Sequence, residues 1–281
     1  MTEPGKLILA ARPIGNFQDS SLRLIDALKT ADLIAAEDTR KLKRLLIDLE
    51  IATKAKIISY FEENELSKIG FILEKISQGQ NVLIISDAGT ITISDPGFKL
   101  VQKAIAENIK LEVLPGASAP IAALTISGFS TDEFTFLGFL PRKKSLREDK
   151  LKEINDSLRT IIFFESPRRI LDTLKDLRSY LAPDRRLVIA RELTKTYEEI
   201  IRGSLEELIN WANKEVLGEI TVVVEGRDAK ETIEISEAIG AVTKLIAQGL
   251  SHKDAVAQVA SSSGLAKRAL YQATLELNHE R

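Results

Sequence analysis

Apolar residues along this chain fall into short unbroken runs separated by longer stretches of helical spacing. Leu7 to Ala11, Leu33 to Ala36, Lys56 to Ser59, Val82 to Ile85 and Leu111 to Leu114 read as strands. Strands that are apolar on successive positions suit a sheet covered on both faces. Between them the spacing turns helical. Leu22, Ile25 and Leu28 follow Ser20-Ser21, a basic helix spans Lys41 to Leu49, and the polar stretch Tyr60-Phe61-Glu62-Glu63-Asn64-Glu65 opens a helix to Ser77. Phe98 to Asn108 and Pro120 to Ser127 complete the set. Strand and helix alternating in this way predict an open α/β unit with a parallel sheet.

The pattern changes at Ser127-Gly128-Phe129-Ser130. Phe134 to Phe139 is an aromatic strand, and Thr160 to Phe164, Arg185 to Ala190 and Glu219 to Glu225 are further strands, with helices at Ile170 to Tyr180 and Leu205 to Asn213. After a polar linker, Arg227 to Ile233, residues 234–281 carry no strand pattern. Ile239, Val242, Leu245 and Ile246, then Ala255 and Val259, predict short helices that restart at Gly249 to Ala255 and at Ser261 to Lys267, a helix-turn-helix-like appendage. The expected division is therefore 1–128 and 129–228 as two α/β domains and 229–281 as a small helical domain.

Strand ends carry the candidate chemistry. VLIISDAGTITISDPG, residues 82–97, runs from a strand into small and acidic residues and a sharp Asp95-Pro96-Gly97 turn. Ser86, Asp87, Ala88 and Gly89 leave room for a ligand to approach the backbone, although ordinary turn chemistry explains such a loop equally well. Leu114-Pro115-Gly116-Ala117-Ser118-Ala119 is a second small-residue loop, and two such loops can converge on one crevice of a parallel sheet.

Composition narrows the classes. The 281 residues are 44% apolar and 28% charged, with a formal net charge of -2, so nucleic-acid contact requires local clustering of cations. Arg40, Lys41, Lys43 and Arg44 form one cluster. Arg142 to Lys152, with six basic residues against two acidic ones, reads as a flexible basic loop and the strongest electrostatic footprint in the chain. Solvated surface is the plain alternative for both. The absence of cysteine excludes thiolate and zinc-thiolate chemistry, and two histidines, His252 and His279 in the tail, make a histidine metal centre an unsuitable reading. MTEPGKLILAARPIG lacks the features of a signal peptide, and no run approaches a membrane span, so a cytoplasmic protein is expected.

Nine stretches in order resemble the tetrapyrrole (corrin and porphyrin) methylase superfamily, and within it the ribosomal small-subunit RNA methyltransferase I branch, which methylates a cytidine ribose 2′-hydroxyl. They are ARPIGN (11–16), AAEDTRK (35–41), SDAGTITISDPG (86–97), LPGASA (114–119), SGF (127–129), GFLPRK (138–143), FESPRR (164–169), RELTKTYEE (191–199) and GEITVVVEG (218–226). The helical tail resembles the extra C-terminal domain of the RNA enzymes. One departure stands out: where the family usually reads Thr-Pro-Gly, this chain has Thr90-Ile91-Thr92, two β-branched residues in place of two conformationally special ones. Phe164 and Arg168 also stand where Tyr and His are commoner, which argues against a histidine base there.

The resemblance implies a two-domain tetrapyrrole-methylase-like fold with the active-site cleft between domains, S-adenosylmethionine as cofactor, no metal, and a homodimer acting on ribosomal RNA of the small subunit. The cofactor shell it implies is Pro13, Gly89, Thr90, Ile93, Ala117 and Ser118 from the first domain, with Phe164, Leu193, Gly218, Glu219 and Ile220 from the second. A ribose hydroxyl needs a proton acceptor. Glu37, Asp38, Asp87, Asp95, Glu165, Glu192 and Lys195 all follow predicted strands, and Asp87 and Glu37 are taken first. The phosphate-contact candidates are Arg40, Lys41, Lys43, Arg44, Arg142, Lys143, Lys144, Arg168 and Arg169, with Tyr60 and Phe61 as possible stacking partners for an extruded base. An intramolecular ion pair is the competing role for Arg168 or Arg169. Methylation of a small tetrapyrrole and a non-enzymatic RNA-binding module are the alternative readings.

Overall fold

The apolar runs of the first half assemble into one parallel sheet. β1 Lys6–Ala10, β2 Leu33–Ala36, β3 Lys56–Ser59, β4 Val82–Ile85 and β5 Lys110–Leu114 pair in the order β3-β2-β4-β1-β5. The structure is a computed structural model and describes residues 5–227, 235–263, 265 and 267–279. Helices α1 Leu22–Thr30, α2 Thr39–Asp48, α3 Glu65–Ser77, α4 Phe98–Ala106 and α5 Ala119–Ser127 follow the five strands in turn. Alternate strand residues divide between two cores. Ile8, Ile34, Leu83 and Ile85 pack with α1 and α2 through Leu24, Leu28, Leu42 and Leu45, whereas Leu7, Leu33, Val82 and Ile84 pack with α3 and α4 through Ile72, Ile76 and Leu100. The neighbours β1 and β4 therefore send their helices to opposite faces, and their diverging loops leave a crevice at the carboxyl ends.

The second sheet contains β6 Phe134–Phe139, β7 Thr160–Glu165, β8 Leu187–Arg191, β9 Glu199–Gly203 and β10 Ile220–Val224, in the order β6-β7-β10-β8-β9. β6 is parallel to β7 and the other pairs are antiparallel. Helices α6 Lys144–Asp156, α7 Ile170–Arg178 and α8 Leu205–Ala212 pack on the face that carries Ile161, Phe163, Ile189 and Val222. The opposite face, with Ile162, Val188, Ala190 and Val223, meets Ala123 and Leu124 of α5 together with Ile14 and Leu193. This layer joins the two sheets within one compact unit, Met1–Gly226. Arg202 reinforces the joint by donating to the Ile126 carbonyl, as does the Asn16 amide, which donates to the Thr194 hydroxyl at 3.0 Å.

The second compact unit, Arg227–Arg281, contains α9 Ile235–Ala247, α10 His252–Ser263 and α11 Lys267–His279, held by Ala238, Val242, Val256, Val259 and Leu270. His252 is engaged inside this unit by the Thr274 hydroxyl at 2.9 Å. Beyond Arg227, the linker expected up to Ile233 lies outside the described residues. Among the described residues no helix is long and apolar enough to cross a membrane.

Several expectations need correction. Leu22 is 79% exposed; α1 buries Leu24, Ala27 and Leu28 instead, a face displaced from Leu22, Ile25 and Leu28. The stretch Arg142 to Lys152 is not a flexible loop, because α6 begins at Lys144 and its charges pair along the helix, as in Lys150–Glu153. Arg147 turns inward to Asp176 and the Thr173 hydroxyl. The sequence reading also lacks β9, an edge strand.

Candidate active site

At the crevice, the chain beyond β1 runs beside the loop beyond β4. Arg12 and Gly89 exchange backbone hydrogen bonds of 2.8 and 2.9 Å, and Gly89 takes φ +72°, a left-handed angle that costs glycine little. The Thr90 hydroxyl then donates to the Ala117 carbonyl at 3.2 Å, tying the two small-residue loops together. A cleft of about 350 Å³ lies between these loops and the second sheet, a volume within the range of small-molecule sites. One wall has Ile14, Ala88, Gly89, Thr90, Ile93 and Ser118; the other has Phe139, Phe164, Ser166, Gly218, Ile220 and Thr221. The Phe164 ring is braced by Phe136 and Phe139 at centroid distances of 5.0 and 5.4 Å.

Four carboxylates line the cleft: Asp87, Asp95, Glu165 and Glu219. Asp87 accepts the Asp38 amide at 2.9 Å and the Lys41 ammonium at 2.7 Å. Its own amide donates to Glu37 at 3.0 Å, so Glu37 and Asp87 lock the ends of β2 and β4 together. Burial raises the Glu37 pKa; the Asp87 amide partly opposes the shift and the Asp87 charge adds to it. Glu165 accepts the Thr173 hydroxyl at 2.6 Å and the Ser166 amide at 2.8 Å, with Arg169 at 3.5 Å. Glu219 pairs with Lys195 at 2.9 Å, and Lys195 also holds Glu192 at 2.7 Å. Burial works against the charge on Glu192, but Lys195 and the Glu219 amide outweigh it and lower its pKa. Asp95 differs: burial first, then the charges of Glu37, Asp87 and Glu219, push its pKa up to about 7 against the pull of the Ser86 hydroxyl.

The turn that carries Asp95 has an unusual backbone. Thr92 and Ser94 adopt φ +72° and +65°, and Gly97 adopts +124°. Glu65, 4% exposed, anchors the turn by accepting the Gly97 amide and the Tyr60 hydroxyl, each at 3.0 Å. Ile91 is buried in the core with Tyr60, Ile72 and Leu100, and neither it nor Thr92 lines the cleft. The β-branched pair thus leaves the cleft volume free while placing a threonine where the backbone suits glycine. Thr92→Gly is expected to raise stability by about 0.5 to 1 kcal/mol, relief of left-handed strain less the added chain entropy. Urea unfolding midpoints at constant slope measure it.

Of the residues implied as a cofactor shell, Gly89, Thr90, Ile93, Ser118, Phe164, Gly218, Glu219 and Ile220 meet at the cleft. Pro13 is buried just before Ile14, and Ala117 and Leu193 belong to the apolar layer joining the sheets. Asp87 lines the cleft and Glu37 acts on it from behind. Ile14, Phe139, Ser166 and Thr221 are cleft residues that sequence reasoning did not single out, although each adjoins or lies within a resembling stretch. Among the cations, Lys43, Arg142, Lys143, Lys144 and Arg168 are exposed. Arg40 is engaged with Asp38, Lys41 with Asp87 and Arg44 with Asp48. Arg169 turns inward to the Leu140 and Pro141 carbonyls and Glu165. Tyr60 is 1% exposed and unavailable for stacking on a base; Phe61 is 38% exposed.

Residues 6–209 match the family described as Tetrapyrrole (Corrin/Porphyrin) Methylases, and residues 234–278 match the RsmI C-terminal HTH domain. Ribosomal RNA small subunit methyltransferase I from Mycobacterium tuberculosis (strain CDC 1551 / Oshkosh) is 44% identical over 98% of this chain and 96% of its own length. The chain belongs to the tetrapyrrole methylases, in the ribosomal RNA small subunit methyltransferase I branch. Its counterpart from Halalkalibacterium halodurans is also 44% identical, over 96% of this chain and 94% of its own. Uroporphyrin-III C-methyl transferase from Thermus thermophilus, solved complexed with S-adenyl homocysteine, shares the fold at TM-score 0.56 and 16% identity, covering 78% of this chain and 97% of its own. The tetrapyrrole methylase fold thus accounts for both sheets, and the helical unit matches a domain of its own.

Proposed function

We propose that this chain transfers the methyl group of S-adenosylmethionine to the ribose 2′-hydroxyl of a cytidine in small-subunit ribosomal RNA. The observation that carries the reading is the 44% identity to ribosomal RNA small subunit methyltransferase I over 98% of the chain, helical unit included. The cleft residues fit the cofactor. Ala88, Gly89 and Ser118 offer little bulk, Ile14, Phe164 and Ile220 offer an apolar wall for a flat ring, and the carboxylate lining suits a cation. The bound cofactor supplies an electrophilic methyl group on a sulfonium, and this chemistry asks for no metal. What the chain supplies is alignment, exclusion of water and a proton acceptor. Asp87, fixed by Lys41 and the Asp38 amide, holds the β4 loop in register at the cleft, with Glu37 fixing Asp87 in turn.

In this reading, residues 1–128 and 129–228 supply the two walls of the cleft, and 229–281 is an RNA-docking appendage. The protein works as a cytoplasmic homodimer on the small ribosomal subunit. The exposed cations Lys43, Arg142, Lys143, Lys144 and Arg168 contact phosphates, and Phe139, exposed at the cleft, faces the base. Replacing Arg142 and Lys143 together by Glu is expected to raise KM for small subunits about tenfold or more and to lower the salt slope by about 2, with cofactor affinity unchanged. Two measurements test the function itself: calorimetry with S-adenosylmethionine, and transfer of a labelled methyl group to isolated small subunits. Binding plus transfer supports the reading. Absence of cofactor binding leaves an RNA-binding module, and label accepted by a porphyrin precursor alone leaves tetrapyrrole methylation.

A further inference from the structure

We propose that the Asp95 carboxylate is the proton acceptor for the attacking hydroxyl, a catalytic role that rests on the methyltransferase reading. Three of the four carboxylates lining the cleft are committed elsewhere. Asp87 holds Lys41 and an amide, Glu165 holds Thr173, Ser166 and Arg169, and Glu219 holds Lys195. A carboxylate neutralised in this way is a weak base. Among the described residues no lysine or arginine pairs with Asp95; the Ser86 hydroxyl is its polar neighbour. The charges that bear on it are acidic: Glu37 beyond β2, Asp87 beyond β4 and Glu219 before β10. Of the cations around this cluster, Lys41 is held by Asp87, Lys195 by Glu192 and Glu219, and Arg12, which feels the Asp87 charge, donates to the Lys41 carbonyl.

Its mount is rigid. Pro96 follows Asp95 directly, and the next residue, Gly97, is tethered through its amide to buried Glu65. Burial and the surrounding negative charge raise the Asp95 pKa to about 7, where a base is strong enough to accept a proton yet still ionised at neutral pH. In the step, the hydroxyl oxygen forms a bond to the methyl carbon while the carbon–sulfur bond breaks. Sulfur keeps that electron pair and becomes a neutral thioether, and the hydroxyl proton passes to the Asp95 carboxylate, which releases it to solvent after the products leave. A carboxylate set among other carboxylates is also favoured by a sulfonium in the same cleft, so cofactor binding is expected to lower the Asp95 pKa.

The test compares full-length wild type with Asp95→Asn, using S-adenosylmethionine and small ribosomal subunits. Wild-type kcat/KM is expected to rise about tenfold per pH unit up to about pH 7 and then level, with the limb in kcat displaced to lower pH. Asp95→Asn is expected to bind S-adenosylmethionine within a few-fold of wild type, to lose about 100-fold in kcat on the plateau and to lose the limb. A readout independent of activity follows from linkage. A carboxyl whose folded pKa is raised contributes stability that is full below the unfolded pKa and is lost as pH rises toward the folded value. Wild type should therefore lose thermal stability relative to Asp95→Asn between about pH 4 and about pH 7, with a constant difference above that. An active wild type with an unchanged rate or a persisting limb in Asp95→Asn overturns the proposal alone, as does loss of cofactor binding in that variant. Absence of methyl transfer by wild type overturns the methyltransferase reading and the proposal with it.

Discussion

Gly218→Ala should cost about 2 to 4 kcal/mol of stability and weaken S-adenosylmethionine binding by at least about tenfold. Gly218 sits at φ +94°, and a Cβ built there would lie 2.4 Å from Glu192 Cγ and 2.6 Å from its Oε1. Glu192 cannot step aside cheaply. Its carboxylate accepts the Glu219 amide at 2.8 Å and the Lys195 ammonium at 2.7 Å, and its own backbone is left-handed at φ +51°. Left-handed strain at the new alanine, the displaced side chain and an orphaned amide therefore add, and all three act on the segment Gly218-Glu219-Ile220 that lines the cleft. Urea unfolding and cofactor calorimetry on the same preparation separate the two effects. A variant as stable as wild type would show that the loop has room the present geometry denies it.

Glu65→Ala is expected to be similarly severe, at about 3 to 5 kcal/mol, because truncation leaves two buried donors without an acceptor and opens a void beside them. Those donors are the Tyr60 hydroxyl and the Gly97 amide. Loss of the second releases the Asp95-Pro96-Gly97 turn, so activity should fall further than global unfolding explains. Glu65→Gln keeps a carbonyl acceptor and should recover about half of the lost stability or more. Thermal unfolding and kcat under conditions where each variant is fully folded measure both parts. Equal losses for Ala and Gln would point to the charge near Lys99, 3.9 Å away, rather than to the hydrogen bonds.

β2 and β4 were legible because their unbroken apolar runs leave few alternatives: each occupies the expected residues and ends where small or acidic residues begin, and the edge strand β3 occupies its expected residues as well. β9 was not, since Glu199-Ile200-Ile201-Arg202-Gly203 mixes charged and apolar positions as an edge strand does, and its identity depends on pairing with β8. Charge density misled at Arg142 to Lys152, where i,i+3 and i,i+4 ion pairs support a helix, and Arg147 turns to Asp176 and the Thr173 hydroxyl. The cleft itself could be anticipated from its loops. The separation of its carboxylates into paired and unpaired could not, because Asp87, Glu165, Glu219 and Asp95 look alike in sequence and differ only in the cations that the fold brings to them. The Thr90-Ile91-Thr92 departure likewise pointed to the right loop, but burial of Ile91 away from the ligand volume is a three-dimensional fact.

The most direct measurement is nucleoside analysis of small-subunit ribosomal RNA after reaction with labelled S-adenosylmethionine and the full-length protein. The expected result is label in a single cytidine, recovered in an alkali-resistant dinucleotide, because a methylated 2′-oxygen can no longer attack the neighbouring phosphodiester. Label on a base, or label found on a tetrapyrrole and never on RNA, would contradict it.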